Sequence, residues 1–165
     1  PLTRLYQLSA NAIRQADPDT WICVSPQAMG TNWGTPSGLG RVTDPRPGDP
    51  RIAYCPHLYP LMLDLGSGYN GSSRAQIDTT VDLWRGNALR TAHRLGDVPI
   101  ILDEFGLDTT QDGALDYVRL VLRTTDDMGA GWIYWSSDPG SWGPYEEDGR
   151  IRNLVDVLGA SAPKP

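Results

Sequence analysis

Pro99-Ile100-Ile101-Leu102-Asp103-Glu104-Phe105-Gly106 is an apolar run that closes on two acids, an aromatic ring and a glycine. Residues 99–103 are too few for a buried helix and rich in aliphatic side chains, so the run reads as a strand covered on both faces. Its flanks decide how such a strand is used. Upstream, Ile77, Val81, Trp84, Ala88, Ala92 and Leu95 recur at helical spacing over 74–95, and Gly96 stops that helix. Downstream, Leu115, Val118, Val121, Leu122 and Thr125 mark a helix capped by Thr109 or Thr110 and running to Met128. A strand between two long helices is a crossover unit, and crossovers join parallel strands.

Further out the pattern repeats. Trp21-Ile22-Cys23-Val24-Ser25, Arg51-Ile52-Ala53-Tyr54-Cys55 and Gly131-Trp132-Ile133-Tyr134-Trp135 read as three more buried strands. Trp21, Trp84 and Trp132 are expected in the core. A helix over 2–16 should bury Leu2, Leu5, Leu8, Ala12, Ile13 and Ala16, and Asp17-Pro18-Asp19 ends it. A last helix is expected over 151–158. Residues 26–51 form a long Pro- and Gly-rich loop of the kind that is usually functional. Residues 61–73 and 136–149 are also irregular. The class is α/β, with one domain over 1–159 and a Pro-rich tail or linker over 160–165.

Composition narrows the function. The chain has 165 residues, 39% hydrophobic, enough apolar material for a core. A net charge of −6 with no basic run gives nucleic acid and anionic membranes nothing to bind. No apolar stretch is long enough to cross a bilayer. Two histidines and two cysteines without a CxxC supply a metal site poorly, so neither metal nor cofactor is expected. Cys23 and Cys55 read as two buried thiols, or as one disulfide between neighbouring strands. The start, Pro1-Leu2-Thr3 without Met, reads as processed or cut, and a secreted or extracellular setting is the expectation.

Chemistry-bearing side chains gather where the strands end. Ser25 and Gln27 follow the first, His57 and Tyr59 the second, Glu104 ends the third and Trp135 the fourth. In parallel α/β folds this edge is where ligands bind. By alternation, Ile100 and Leu102 should share the face of Glu104, with Asp103 turned away as a supporting group. Gly131, Ile133 and Trp135 should share one face, Trp132 and Tyr134 the other. A carboxylate with Tyr59 and His57 as donors suits glycosidic cleavage, and Trp135 offers a flat face to a sugar. Trp33 and Trp142, in Gly-rich loops, either line a cleft or pin those loops. His93, on a helix, reads as solvated.

The ordered set Tyr54-Cys55-Pro56-His57-Leu58-Tyr59-Pro60, Ile101-Leu102-Asp103-Glu104-Phe105-Gly106 and Gly131-Trp132-Ile133-Tyr134-Trp135 resembles the second half of a glycoside hydrolase family 5 catalytic domain. The resemblance implies strands five to eight of a TIM (β/α)8 barrel. It implies Glu104 as the nucleophile of a retaining enzyme, His57 and Tyr59 as its supports, and Trp135 as a sugar platform. Gln27, Trp33 and Trp142 would line the substrate. Tyr59-Pro60-Leu61-Met62, residues 65–71 and the stretch 131–136 are most similar to endoglycoceramidases, which release oligosaccharide from the ceramide of glycosphingolipids. The family's acid/base lies in an Asn-Glu-Pro motif that these residues do not contain. The implied partners are therefore a carbohydrate or glycolipid and an N-terminal half of the barrel. A cellulase-like endo-β-glucanase is the alternative within the family. A non-catalytic carbohydrate-binding half-barrel, or a structural half-barrel that pairs with itself, are the alternatives outside catalysis.

Overall fold

The computed structural model describes residues 1–160, so all but Ala160 of the expected tail lies outside the described residues. Helix α1 (Leu2–Ala16) leads into β1 (Ile22–Val24) and a short turn of helix, α2 (Ala28–Thr31). Then come β2 (Ile52–Tyr54), β3 (His57–Leu58) and the single turn α3 (Leu61–Asp64). The long helix α4 (Gly71–Leu95), β4 (Ile101–Phe105), α5 (Ala114–Met128), β5 (Gly131–Tyr134) and α6 (Leu154–Ala160) complete the order. Strands β1 and β2 pair in parallel, as do β3 with β4 and β4 with β5. A bridge between Tyr54 and Ile100 joins the two groups. β2 and β3 act as one strand interrupted at Pro56, which has no N–H to give the ladder. The result is an all-parallel arc in chain order.

Helices cover one face of this arc. Ile77, Val81, Trp84, Ala88, Ala92 and Leu95 of α4 are buried, as their spacing predicts. So are Val118, Val121, Leu122 and Thr125 of α5, together with Tyr117. Gly96 ends α4 in the left-handed conformation, which glycine adopts without a Cβ penalty. Helix α5 starts later than its threonines suggested. Gly113 occupies the cap, while Thr110 bonds back to Asp108 in the preceding loop.

The other face of the arc is open, and this corrects the expectation of strands covered on both sides. In β1, Ile22 and Val24 enter the core while Cys23 is exposed. Trp21, expected in the core, is 55% exposed, and Ile133 on the open side of β5 is equally so. Cys23 and the buried Cys55 are free thiols. In α1, Leu5 and Leu8 are exposed; the helix packs instead through Ala10, with Leu2 and Tyr6 against the core.

Residues 26–51 carry no long helix, yet they are not a free loop. Leu39 and Val42 are buried and take the place of a covering helix beside α4. Arg94 of α4 donates to the carbonyls of Leu39 and Ser37. Asp44 anchors the return. Its carboxylate accepts two hydrogen bonds from Arg14 of α1, at 2.8 and 2.9 Å, and others from the backbone N–H of Arg46 and Arg51. No helix among the described residues is long and apolar enough to cross a membrane.

The Arg14 hydrogen bonds, outweighing the cost of burial, hold the Asp44 carboxyl well below its usual range. A depressed carboxylate stabilises the fold above its unfolded value and loses that contribution as pH falls through the folded one. Asp44→Asn should therefore lower Tm at pH 7, and the difference from wild type should shrink below about pH 4. An equal Tm penalty at pH 7 and pH 3 would remove Asp44 as the anchor.

Candidate active site

The site lies at the C-terminal edge of the arc, where β3, β4 and β5 end. Its geometry starts from an irregularity in β4. Leu102 pairs with Trp132 and Phe105 with Tyr134, so Asp103 and Glu104 together face the single residue Ile133. This is a β-bulge, and it breaks the alternation of side chains. Leu102 and Phe105 are both wholly buried on the helix side although three positions apart. Phe105 meets Trp132 and Tyr134 edge-to-face, with ring centroids 6.2 and 5.3 Å away. Asp103 and Glu104 both emerge on the open side.

The parity expected for β4 is thus corrected. Ile100 and Leu102 belong to the helix-side core and do not share the face of Glu104. Asp103, expected to turn away, lies beside it. In β5, where no bulge intervenes within the strand, Gly131, Ile133 and Trp135 are exposed together, while Trp132 and Tyr134 pack inward against Phe105.

Three of the anticipated residues converge. Glu104 is the register partner of His57. The Tyr59 hydroxyl donates to Glu104 Oε2 at 3.3 Å, and His57 Nδ1 lies 3.4 Å from the same oxygen. Burial first, then the charge of Glu104, pushes the Tyr59 hydroxyl above its usual range, so it keeps its proton as a donor. Two clamps hold this edge: Trp84 of α4 donates its indole N–H to the His57 carbonyl at 2.9 Å, and Tyr59 N–H donates to the Asn32 carbonyl at 3.1 Å. A carboxylate that accepts from a hydroxyl, with an imidazole beside it, can serve as a nucleophile.

The aromatic residues are placed less uniformly. Trp135 follows β5, donates its N–H to the Phe105 carbonyl and is 53% exposed. A side chain on Gly106 would bring its Cβ to 2.1 Å from the Trp135 carbonyl, so only glycine lets these two strand ends meet. Trp142 reaches Tyr59, with centroids 6.4 Å apart. Its carbonyl accepts from the Tyr134 hydroxyl. Its loop is pinned by Arg152, which binds both oxygens of Glu146 and the carbonyls of Gly140 and Gly143. Trp33 is half-buried in the turn after α2, and Gln27 is exposed before it. Neither makes a side-chain hydrogen bond to the His57–Tyr59–Glu104 group. Among the described residues no three His, Cys, Asp or Glu side chains gather as a metal site.

The residue that alternation missed is Asp103. Its Oδ1 lies 3.2 Å from His57 Nε2. Two successive acids at a strand end were the available signal, but the bulge that turns both to the open side has no mark in the local sequence.

The family of cellulases, glycosyl hydrolase family 5, matches residues 1–141. No curated protein sequence matches the chain. Among solved structures, endo-glycoceramidase II from Rhodococcus sp. in its ganglioside GM3 complex is 59% identical, with a TM-score of 0.93 over 96% of this chain. The lactosyl-enzyme intermediate of that enzyme is 57% identical with a TM-score of 0.88. The chain spans about a third of its length (35% and 34%). A hyperthermophilic endo-β-1,4-glucanase in complex with substrate shares the fold at 19% identity and a TM-score of 0.73, over 96% of this chain and 54% of its own. The parallel arc is therefore part of a TIM barrel, and the chain belongs to glycosyl hydrolase family 5.

Proposed function

We propose that these residues supply the nucleophile side of a retaining β-glycosidase that releases oligosaccharide from the ceramide of glycosphingolipids. The observation that carries the reading is Glu104, held at a strand end by the Tyr59 hydroxyl and facing His57 Nδ1. In the first step a Glu104 oxygen attacks the anomeric carbon, and the bond from that carbon to the ceramide oxygen breaks. In the second, water attacks the same carbon and frees Glu104. The lactosyl-enzyme intermediate of the Rhodococcus enzyme supports such a covalent stage. The preference for glycolipid over cellulose rests on 59% identity to that enzyme, against 19% to the endoglucanase.

A retaining enzyme needs a second carboxylate about 5–5.5 Å from the first to protonate the leaving oxygen. These residues contain no Asn-Glu-Pro, so the acid/base would come from an N-terminal half of the barrel. That half would also cover Cys23, Ile133 and the exposed leucines of α1. Trp135 would stack under the sugar, with Trp142, Trp33 and Gln27 along the cleft. A secreted or extracellular setting belongs to the same proposal.

In the complete enzyme, a 2-deoxy-2-fluoro-lactoside with a good leaving group should label the peptide that contains Glu104. Labelling that persists in Glu104→Gln would sink the assignment. Hydrolysis of a ganglioside much faster than of cellulose oligomers is expected; the reverse would favour the cellulase-like reading. Tyr59→Phe removes one donor from the nucleophile and should lower kcat on the order of 100-fold with the fold intact. Unchanged turnover would end its hydrogen-bond role. Gly106→Ala must displace the Trp135 carbonyl and should cost about 100-fold in kcat/KM, because a shift of about 1 Å in a positioning group has that effect. Wild-type kinetics in that variant would mean Trp135 is not a platform.

A further inference from the structure

Asp103 has no part in the reaction described above, yet the bulge delivers it to the same face as the nucleophile. A quarter of its side chain is exposed, and its Oδ1 has no hydrogen-bond partner among the described residues. The nearest group able to carry a proton to it is His57. Nε2 of that ring lies 3.2 Å from Asp103 Oδ1 and Nδ1 lies 3.4 Å from Glu104 Oε2, ion-pair distances with the ring N–H directions off both oxygens. One imidazole thus stands between two carboxylates that are neighbours in sequence.

Proton counting restricts what this group can be. A neutral imidazole has one N–H and one lone pair. With Asp103 and Glu104 both ionised and the ring neutral, one carboxylate must face the lone pair. If the N–H turns to Asp103, the nucleophile is the one left facing it. A second proton removes the conflict, carried either by the ring as imidazolium or by Asp103 as an acid donating to Nε2. In both arrangements Nδ1–H faces Glu104. Burial raises the proton affinity of Asp103, and the neighbouring imidazole opposes part of that rise. The other titratable groups around the ring are Cys55 and Tyr59 on its own strand, with Cys23 of β1 beyond Cys55. From β5, Trp132 and Tyr134 turn to the helix side, and α4 offers only the Trp84 indole, which binds the His57 carbonyl.

We propose that Asp103 is a positioning residue for the nucleophile: acting through Nε2 of His57, it fixes the ring so that Nδ1–H faces Glu104. The inference rests on Glu104 being the nucleophile, and its test separates the two claims. The probe is a 2,4-dinitrophenyl 2-deoxy-2-fluoro-lactoside on the complete enzyme. Its leaving group departs without protonation, so the acid/base carboxyl drops out of the pH profile of inactivation. If wild type gives no label on the Glu104 peptide, the reading of Glu104 fails. If wild type is labelled, Asp103→Ala should inactivate about 10-fold more slowly at neutral pH. Asp103→Asn, whose amide N–H can donate to Nε2, should recover to within about 3-fold of wild type. Labelling with unchanged rate in Asp103→Ala overturns the inference, as does an Asn variant that folds but is as slow as Ala. A measurement on wild type alone guards against misfolded variants. The ring ¹⁵N shifts of His57, assigned by their loss in His57→Gln, should report a protonated Nδ1 at pH 7. A ring protonated only at Nε2 overturns the inference too.

Discussion

Phe105 is wholly buried against Trp132 and Tyr134, and the placement of the site follows from that anchorage. Leu102 is fixed on the same side by its own burial. Regular alternation cannot put residues three apart on one face, so the strand must take up one extra residue between them. The bulge that results presents Asp103 and Glu104 together. The strength of the anchor is that of ordinary burial, about 1.5–3 kcal/mol for each large apolar side chain, with an increment for the edge-to-face rings. Apolar packing on the helix side therefore positions the carboxylates on the other.

The two faces of the arc differ in how their apolar groups are satisfied. On the helix side, α4, α5 and the segment containing Leu39 and Val42 leave the core wholly enclosed. On the other, Ile133 and Cys23 face outward from the middle of their strands, where a barrel packs layers of side chains. Burial of Ile133 would contribute about 1.5–3 kcal/mol on the same scale. The exposed Leu5 and Leu8 of α1 add to the same unmet burial. Trp21 and Cys23 lie on the same uncovered side and so depart from the core positions their sequence context suggests.

Much of this was readable because parallel strands and amphipathic helices carry strong local signals. The α4 stripe from Ile77 to Leu95, its stop at Gly96 and the span of α1 all match their periodicity. So do the two faces of β5, and the strand-end positions of His57, Tyr59 and Glu104 marked the group that converges. What periodicity missed was decided by tertiary contacts. The apolar stripe of α1 was real, but nothing in the helix itself says which neighbour will cover it. Residues 26–51 looked featureless because Leu39 and Val42 are held through backbone carbonyls to Arg94, a long-range bond with no repeat in sequence. The bulge in β4 is set by rings on another strand, so the parity of Asp103 could not be read from β4 alone.

The electrostatics of the edge follow from the same bulge. Two carboxylates brought side by side in a partly desolvated site repel, and the repulsion grows as water is excluded. His57 stands where it can offset both, while Tyr59 donates to Glu104 alone. The cost of placing Asp103 beside Glu104 is thus offset by a ring that both acids share. Covering the open face would lower the local dielectric and strengthen every term in that balance. On this argument the setting of Glu104 is built by β3, β4 and Tyr59 just beyond β3.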